Sequence, residues 1–303
     1  MTSFSRGRVA GTVFLTGILA AAPAHAWLAT GHAKIAEQAV RVLPDSVPLF
    51  FRAGFAEVGR SAMDPDFYRL RDLPQLRNGE SPEHYLDSEL LEGAKWPESR
   101  YGFIGLLSGL DKDAFAVGML PYSLVEGVQR LAASFAQVRL DPSDEWAQAR
   151  ALHHGGIMAH YAADLCQPLH TTIHYNGRAK ADGSSPRSGI HLEIDGLTRP
   201  VFAEESLAPG HIRAAKNLLE AIEREFDASH ALVDRVYELD GQLDPDRISG
   251  EALQFGRERI TASIRFTAAL FLTAWELSGE ISLPEWYRSI QPAPSPEAPP
   301  PSR

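Results

Sequence analysis

The 303-residue chain lacks several features that define common classes of protein. It has one cysteine, Cys166, so neither an intramolecular disulfide nor a metal site built on several thiolates is possible. Segments that alternate apolar and polar residues, as half-buried β-strands do, are nearly absent. We therefore predict an all-α fold.

The sequence also has no excess of positive charge. Its 29 Lys and Arg residues face 39 Asp and Glu residues, which gives a formal net charge of −10. Such a protein gains nothing from long-range attraction to nucleic acid or anionic lipid. If its substrate is a polyanion, a local charge such as a bound metal must attract it.

The apolar run 9–22 is shorter than the roughly 20 residues that a membrane-spanning helix needs. Two arginines precede it, and Ala24-His25-Ala26 supplies small residues for cleavage. We predict that residues 1–26 form a signal peptide, that the protein is secreted or periplasmic, and that the mature chain begins at Trp27. A retained membrane anchor is the alternative.

The other end of the chain, 291–303, is rich in proline and has no apolar periodicity, so we predict a disordered tail. Between these ends, residues 27–290 show no linker-like change of composition and no internal repeat. We expect them to form a single domain.

Apolar residues at spacings of three and four predict the main helices of this domain. They cover 33–43, 121–138, 141–165, 211–226 and 253–277. The intervening regions 56–120 and 171–210 are predicted to be long loops that carry much of the polar chemistry.

Histidine and aspartate recur at a spacing that suits metal binding. His160 and Asp164 are four residues apart and project from one helix face, and His191 and Asp195 repeat this spacing. His170 lies between the two pairs. A single pair of this kind is more often solvated or part of a core, but the repeated arrangement is more specific.

Upstream residues extend this set of candidate ligands. It then comprises nine positions: Trp27, His32, Asp66, His84, His160, Asp164, His170, His191 and Asp195. Imidazole and carboxylate groups suit zinc. Nine positions are too many for one tetrahedral ion but match three, if one carboxylate bridges two ions and the N-terminal residue chelates through its amino nitrogen and carbonyl oxygen.

Four segments together resemble the single-strand-specific zinc nucleases of fungi and plants, which share a superfamily with bacterial zinc-dependent phospholipases C. The segments are W-L-A-T-G-H from Trp27, D-F-Y-R from Asp66, H-Y-L-D-S-E from His84 and H-Y-A-A-D-L-C-Q-P-L-H from His160. In that family a tryptophan exposed by signal removal is a zinc ligand, which matches Trp27. The resemblance implies a multi-helix fold with long loops around a metal cleft.

The resemblance also implies how the ligands are shared. One zinc would be held by Asp66, His84, His160 and Asp164, a second by His170, His191 and Asp195, and a third by Trp27 and His32 with Asp164 as the bridge. Phosphodiesters would then be hydrolysed by a zinc-bound hydroxide. Asp64 is a rival to Asp66, which we prefer because it directly precedes F-Y-R.

Three further residues are implied to contact substrate. Arg69 would bind phosphate, and Tyr85 would stack on a base. Asp87 would form a hydrogen bond with the same base. Arg69 could equally be a surface ion-pair residue, and Tyr85 a core aromatic.

The main functional prediction is a nuclease or nucleotidase that acts on single-stranded nucleic acid or nucleotides, with no stable protein partner implied. A zinc-dependent phospholipase C is the alternative, because G-I-H-L-E-I-D lacks the tryptophan usual in the nucleases. A histidine-rich protein that sequesters zinc without turnover is a third possibility.

The predicted role of Trp27 links zinc binding to processing. A mature chain that keeps one methionine before Trp27 should bind fewer zinc ions and lose activity, because a peptide bond replaces the free amino group. Metal analysis of the two purified forms tests this. Equal zinc content and equal activity would contradict it.

Overall fold

The computed structural model describes residues 27–203 and 207–289. The predicted signal peptide and the predicted tail lie outside these residues. Within the described ranges there is no β-strand, only the isolated bridges Leu86–Gly118 and Tyr175–Gly177, so the all-α prediction is confirmed. No helix in these ranges is long and apolar enough to span a bilayer.

The described residues form a series of α-helices joined by connections of varied length and three 3₁₀ turns. The helices are α1 (Leu28–Arg41), α2 (Leu49–Ala53), α3 (Phe55–Ser61), α4 (Asp64–Phe67), α5 (Pro74–Glu80), α6 (Arg100–Gly109), α7 (Ala114–Val117), α8 (Leu120–Leu140), α9 (Glu145–Leu165), α10 (Ile190–Asp195), α11 (Thr198–Ala203), α12 (Leu218–His230), α13 (Val233–Glu238), α14 (Gly250–Leu277) and α15 (Glu285–Ser289). The 3₁₀ turns are Ser81–His84, Ser88–Leu91 and Pro168–His170.

The long helices α1, α8, α9 and α14 form the scaffold. Helix α9 packs against α8, α14 and α1, and α14 also contacts α8 and α1. An aromatic cluster joins them to α2: the Phe51 ring lies 5.0 Å from that of Phe135 and 5.2 Å from that of Phe271, both edge to face. Such geometry adds to the free energy gained by burying the rings.

Helix α9 starts later than predicted. We expected it to begin at Asp141, but the carboxylate of Asp141 accepts hydrogen bonds from the backbone and hydroxyl of Ser143 and closes a turn instead. Asp144 is the N-cap, since its side chain accepts from the Ala147 amide at 3.0 Å. The helix ends at Leu165, before Pro168, as expected.

The helix predicted at 211–226 is also displaced, because α12 covers Leu218–His230. The side chain of Asn217 accepts a hydrogen bond from the Glu220 amide at 3.3 Å and so fixes the start of the helix. Upstream, the Ala215 amide donates to the Thr273 hydroxyl on α14, which holds this stretch in an irregular conformation.

The first region predicted as a long loop is largely helical, whereas the second keeps a long irregular stretch, 171–189, before its helices begin. Helices α3 to α7 lie within 55–117, and α10 and α11 lie within 190–203. All of them except the ten-residue α6 cover about two turns or fewer, which leaves little apolar periodicity to detect. Prolines 65, 74 and 82 occupy early positions in their helices, where the missing amide hydrogen costs nothing.

Gly156 allows α9 to approach α3 closely. A Cβ atom at this position would lie 2.4 Å from the Ser61 Cβ and 2.6 Å from the Val58 carbonyl oxygen. Gly156→Ala should therefore destabilise the protein by about 1–3 kcal/mol through overpacking. Urea unfolding would measure this.

Gly105 in α6 is the matched control, because no heavy atom would lie within 4 Å of its added Cβ. Gly105→Ala should stabilise by up to about 1 kcal/mol through helix propensity. Equal effects of the two substitutions would show that α3 and α9 are not in close contact.

Candidate metal centre and adjoining cleft

Asp164, on the last turn of α9, is the centre of a buried cluster of histidines. Its carboxylate oxygens lie 3.0 Å from His84 Nδ1, 3.3 Å from His160 Nε2 and 3.3 Å from His32 Nε2. Burial alone would raise the pKa of Asp164, but the surrounding imidazoles hold this pKa well below its ordinary value. The carboxylate is therefore ionised and available to a cation.

Three histidines of the cluster are oriented by backbone carbonyls. Their Nδ1 atoms lie close to carbonyl oxygens: His160 at 2.8 Å from Ala62, His170 at 2.5 Å from His84 and His191 at 3.0 Å from Tyr175. A carbonyl oxygen only accepts, so each Nδ1 carries the proton. The Nε2 lone pairs consequently point into the cluster, as in histidines that bind metal.

His170 and His191 bring two such lone pairs together. Their Nε2 atoms are 3.1 Å apart, and the Asp195 carboxylate lies 3.5 Å from His191 Nε2. Burial, and then the nearby His170, lower the pKa of His191 to about 3, so the ring is neutral at pH 7. Two acceptors at this distance repel each other unless a cation lies between them.

His84 is oriented the opposite way. Its Nδ1 faces Asp164, and its Nε2 lies 3.4 Å from the carboxylate of Glu80, which also accepts a hydrogen bond from the Tyr161 hydroxyl. Glu80 and Tyr161 thus fix the ring from behind. Neither residue was predicted to belong to the site, although Glu80 is four residues before His84 and Tyr161 follows His160 directly.

Trp27 is buried beside the same cluster. Its indole Nε1 donates to the Ala163 carbonyl at 2.9 Å. The next predicted ligand, His32, stacks on His160 with ring centroids 3.8 Å apart. Helix α1 therefore places both N-terminal candidates against the end of α9.

All nine predicted ligands are buried, with 5% or less of each residue exposed. Asp66, not Asp64, lies in the cluster, since it groups with His32 and His160, whereas Asp64 is part-exposed and faces His153. The nine residues predicted from the sequence therefore come together in the fold. They come from the start of α1, from α4, α9 and α10, and from the turns Ser81–His84 and Pro168–His170.

The chemistry of these residues fits a divalent metal. Both ring nitrogens of His32, one oxygen of Asp164 and one of Asp195 are buried without a hydrogen-bond partner among the described residues. Each such atom costs about 1–3 kcal/mol unless something pairs with it. Two triads, His32/Asp66/His160 and His84/His160/Asp164, have ligand atoms within 4.8 Å of one another. Nitrogen and oxygen donors of this kind suit zinc; the count of three ions stays a prediction.

A cleft of about 420 Å³ opens beside the cluster. The three predicted substrate residues, Arg69, Tyr85 and Asp87, all line it. Arg69 pairs with Asp66 at 3.4 Å, and the Tyr85 hydroxyl donates to the Phe115 carbonyl. The rest of the lining is Ala116, Leu169, Phe115, Tyr175 and the rings of His84, His170 and His191.

Phe115 and Tyr175 were not predicted to belong to the site. Phe115 lies on the four-residue helix α7, which the Asp113 side chain caps, and Tyr175 follows the turn that carries His170. The only signal in the sequence was that Phe115 follows a helix-capping residue and that Tyr175 follows a ligand motif. Neither signal shows in which direction the ring points. With Tyr85, they make the cleft wall largely aromatic.

Asp87 lines the cleft beside the cluster. Burial, assisted by the nearby Glu89, raises the pKa of Asp87 to about 8, and burial also raises the pKa of Asp195 well above its ordinary value. At neutral pH Asp87 is therefore protonated in the metal-free protein. It can donate a hydrogen bond to a ligand in the cleft.

Comparisons with known proteins add little to this description. No protein-family model matches the chain, and no curated protein matches it. Among solved structures, alpha toxin from Clostridium absonum aligns with 86% of this chain and 67% of its own, at 13% identity and a TM-score of 0.45. A similarity of this size carries no functional argument, so the interpretation of the site depends on its own residues.

The raised pKa of Asp87 predicts how stability depends on pH. Because the folded-state pKa of about 8 exceeds the ordinary value of 3.8, the metal-free fold loses stability as pH rises between these values. The loss is at most about 1.4 kcal/mol per pH unit. Asp87→Asn removes it, so the variant should become progressively more stable than the wild type from about pH 4 to about pH 8.

Thermal unfolding of both metal-free proteins across this range measures the difference. Glu89→Gln is a control that removes only the neighbouring charge, and it should give a smaller gain. A constant difference at every pH would mean that Asp87 is ionised throughout.

Proposed function

We propose that this protein is an exported, zinc-dependent phosphoric diester hydrolase. The observation that carries the proposal is the position of the buried imidazole and carboxylate cluster at the base of an open cleft. A structural zinc site closes its coordination with protein ligands and has no need of a cleft, whereas a catalytic site keeps access for substrate.

The residues would divide into metal ligands and substrate contacts. Three zinc ions held by the nine predicted ligands, with Asp164 as the bridge, would activate water and stabilise the charge on phosphate oxygens. Arg69, fixed by its pair with Asp66, would place its guanidinium against a phosphate at the edge of the cluster. Asp66 and Asp164 would thus serve both metal and catalysis.

Two substrate classes are supported by different observations. The rings of Tyr85, Phe115 and Tyr175, with the side chain of Asp87 in the same lining, would suit a base of single-stranded nucleic acid or a nucleotide. The G-I-H-L-E-I-D segment and the exposed aliphatic side chains beside Arg69 would suit a phospholipid, as in a phospholipase C. We favour the phospholipid, because aliphatic side chains stack poorly on bases but enter lipid readily.

The proposal is tested with purified mature protein on bis(p-nitrophenyl) phosphate, phosphatidylcholine in detergent micelles, single-stranded DNA and RNA. Removal of zinc with 1,10-phenanthroline should abolish hydrolysis, and added zinc should restore it. Asp164→Asn should lower activity and zinc content together, by more than about 100-fold in rate, because even outer residues of a metal site cost 10–100-fold.

Asp227→Asn on α12 is the control, since this aspartate is exposed and lies outside the cluster. It should leave both quantities unchanged. Tight zinc binding without hydrolysis of any diester would instead identify a zinc-sequestering protein, and chelator-insensitive hydrolysis would reject the zinc mechanism.

A further inference from the structure

One exposed segment of the chain, residues 67–79, is fixed at both ends by the metal cluster. It starts directly after Asp66 and leads, through Glu80 and the turn Ser81–His84, to His84. Both of these predicted ligands are buried. Since Arg69 within the segment also lines the cleft, the segment borders the mouth of the site.

The segment exposes an unusual amount of apolar surface. Phe67, Leu70, Leu73 and Leu76 are 54%, 50%, 46% and 45% exposed. Helix α5, which forms its second half, has no buried residue. Surface segments of soluble proteins normally turn their apolar side chains toward the core, so four exposed ones in one short segment indicate a contact surface.

The other rims of the cleft are also apolar and exposed. Phe115 is 48% exposed and Tyr175 is 39% exposed, and both line the cleft. Exposed apolar side chains therefore occur in the lining of the cleft as well as on the segment that carries Arg69. Exposed apolar surface beside a site is typical of a contact with another apolar phase or molecule.

The charge of the segment is opposite to that of the whole protein. Residues 67–79 contain Arg69, Arg71 and Arg77 against Asp72, which is 3 − 1 = +2, whereas the whole chain carries −10. A local positive charge in an acidic protein is complementary to an anionic partner. Exposed leucines mixed with arginines are typical of segments that lie in a membrane interface.

We propose that the 67–79 segment docks the protein on the surface of a phospholipid bilayer that contains anionic lipid. The leucines and Phe67 would enter the headgroup region, and the arginines would contact lipid phosphates. The mouth of the cleft would then face the headgroups, which deepens the proposed function: the substrate is a phospholipid taken from an assembled membrane. Docking itself does not depend on turnover.

Two other occupants fit less well. Single-stranded nucleic acid would satisfy the arginines, but three of the four apolar side chains are leucines, which have no aromatic face for a base. A second copy of the chain, paired through the same segment, would bring two positively charged segments together.

The experiment measures partition of the mature protein onto sedimenting vesicles of mixed phosphatidylcholine and phosphatidylglycerol. Leu73→Asp combined with Leu76→Asp should lower partition by about tenfold or more, because two apolar contacts are replaced by charges that anionic lipid repels. Leu49→Asp is the matched control, an exposed leucine on α2 outside the cleft lining, and should have no effect.

A second variant tests the charge separately. Arg77→Gln should lower partition onto the anionic vesicles by about fivefold and leave partition onto pure phosphatidylcholine unchanged. High salt should weaken the effect of Arg77→Gln, because salt screens charge. The loss of partition that comes from the missing leucine side chains should persist at high salt.

Hydrolysis of soluble bis(p-nitrophenyl) phosphate should be the same in the wild type and the Leu73/Leu76 variant. Absence of vesicle partition by the wild type, or equal partition by the variant, would overturn the docking proposal. So would a loss of single-stranded DNA binding or of self-association in the variant without a change on vesicles. Vesicle binding without any diester hydrolysis would reject the proposed function and leave the docking proposal standing.

Discussion

The buried carboxylate of Asp164 is the constraint on which the rest of the site depends. An isolated carboxylate in a protein interior is strongly unfavourable. Here His32, His84 and His160 surround it at 3.0–3.3 Å, and they come from three different parts of the chain. Helix α1, the turn before Tyr85 and helix α9 must all be in place before this charge is compensated. The fold and the candidate metal centre therefore stabilise each other.

Backbone carbonyl groups orient three of the candidate histidine ligands. Carbonyl groups of residues 62, 84 and 175 fix the tautomers of three histidines, and these carbonyls belong to short helices and turns rather than to the long scaffold helices. A shift of α3 against α9 would move the Ala62 carbonyl and with it the ring of His160. This explains why a glycine, Gly156, lies at the closest approach of the two helices.

The charge of the cleft region differs from the charge of the whole chain. The chain as a whole is acidic, which would repel both nucleic acid and anionic membranes. The cleft and the segment beside it have arginines and a cluster that would gain positive charge from zinc. A phosphate-bearing substrate would thus be attracted to this part of the protein, where exposed apolar side chains also lie.

The sequence by itself determined the long helices to within a few residues, because helical spacing is a local property. It also predicted nine candidate ligands, all of which the fold buries. It did not predict the short helices between residues 55 and 117, whose periodicity is too brief to detect. Only the tertiary structure showed that Glu80 and Tyr161 hold His84 and that Phe115 and Tyr175 line the cleft. Those facts depend on which way side chains point after distant segments pack, and no local pattern encodes that direction.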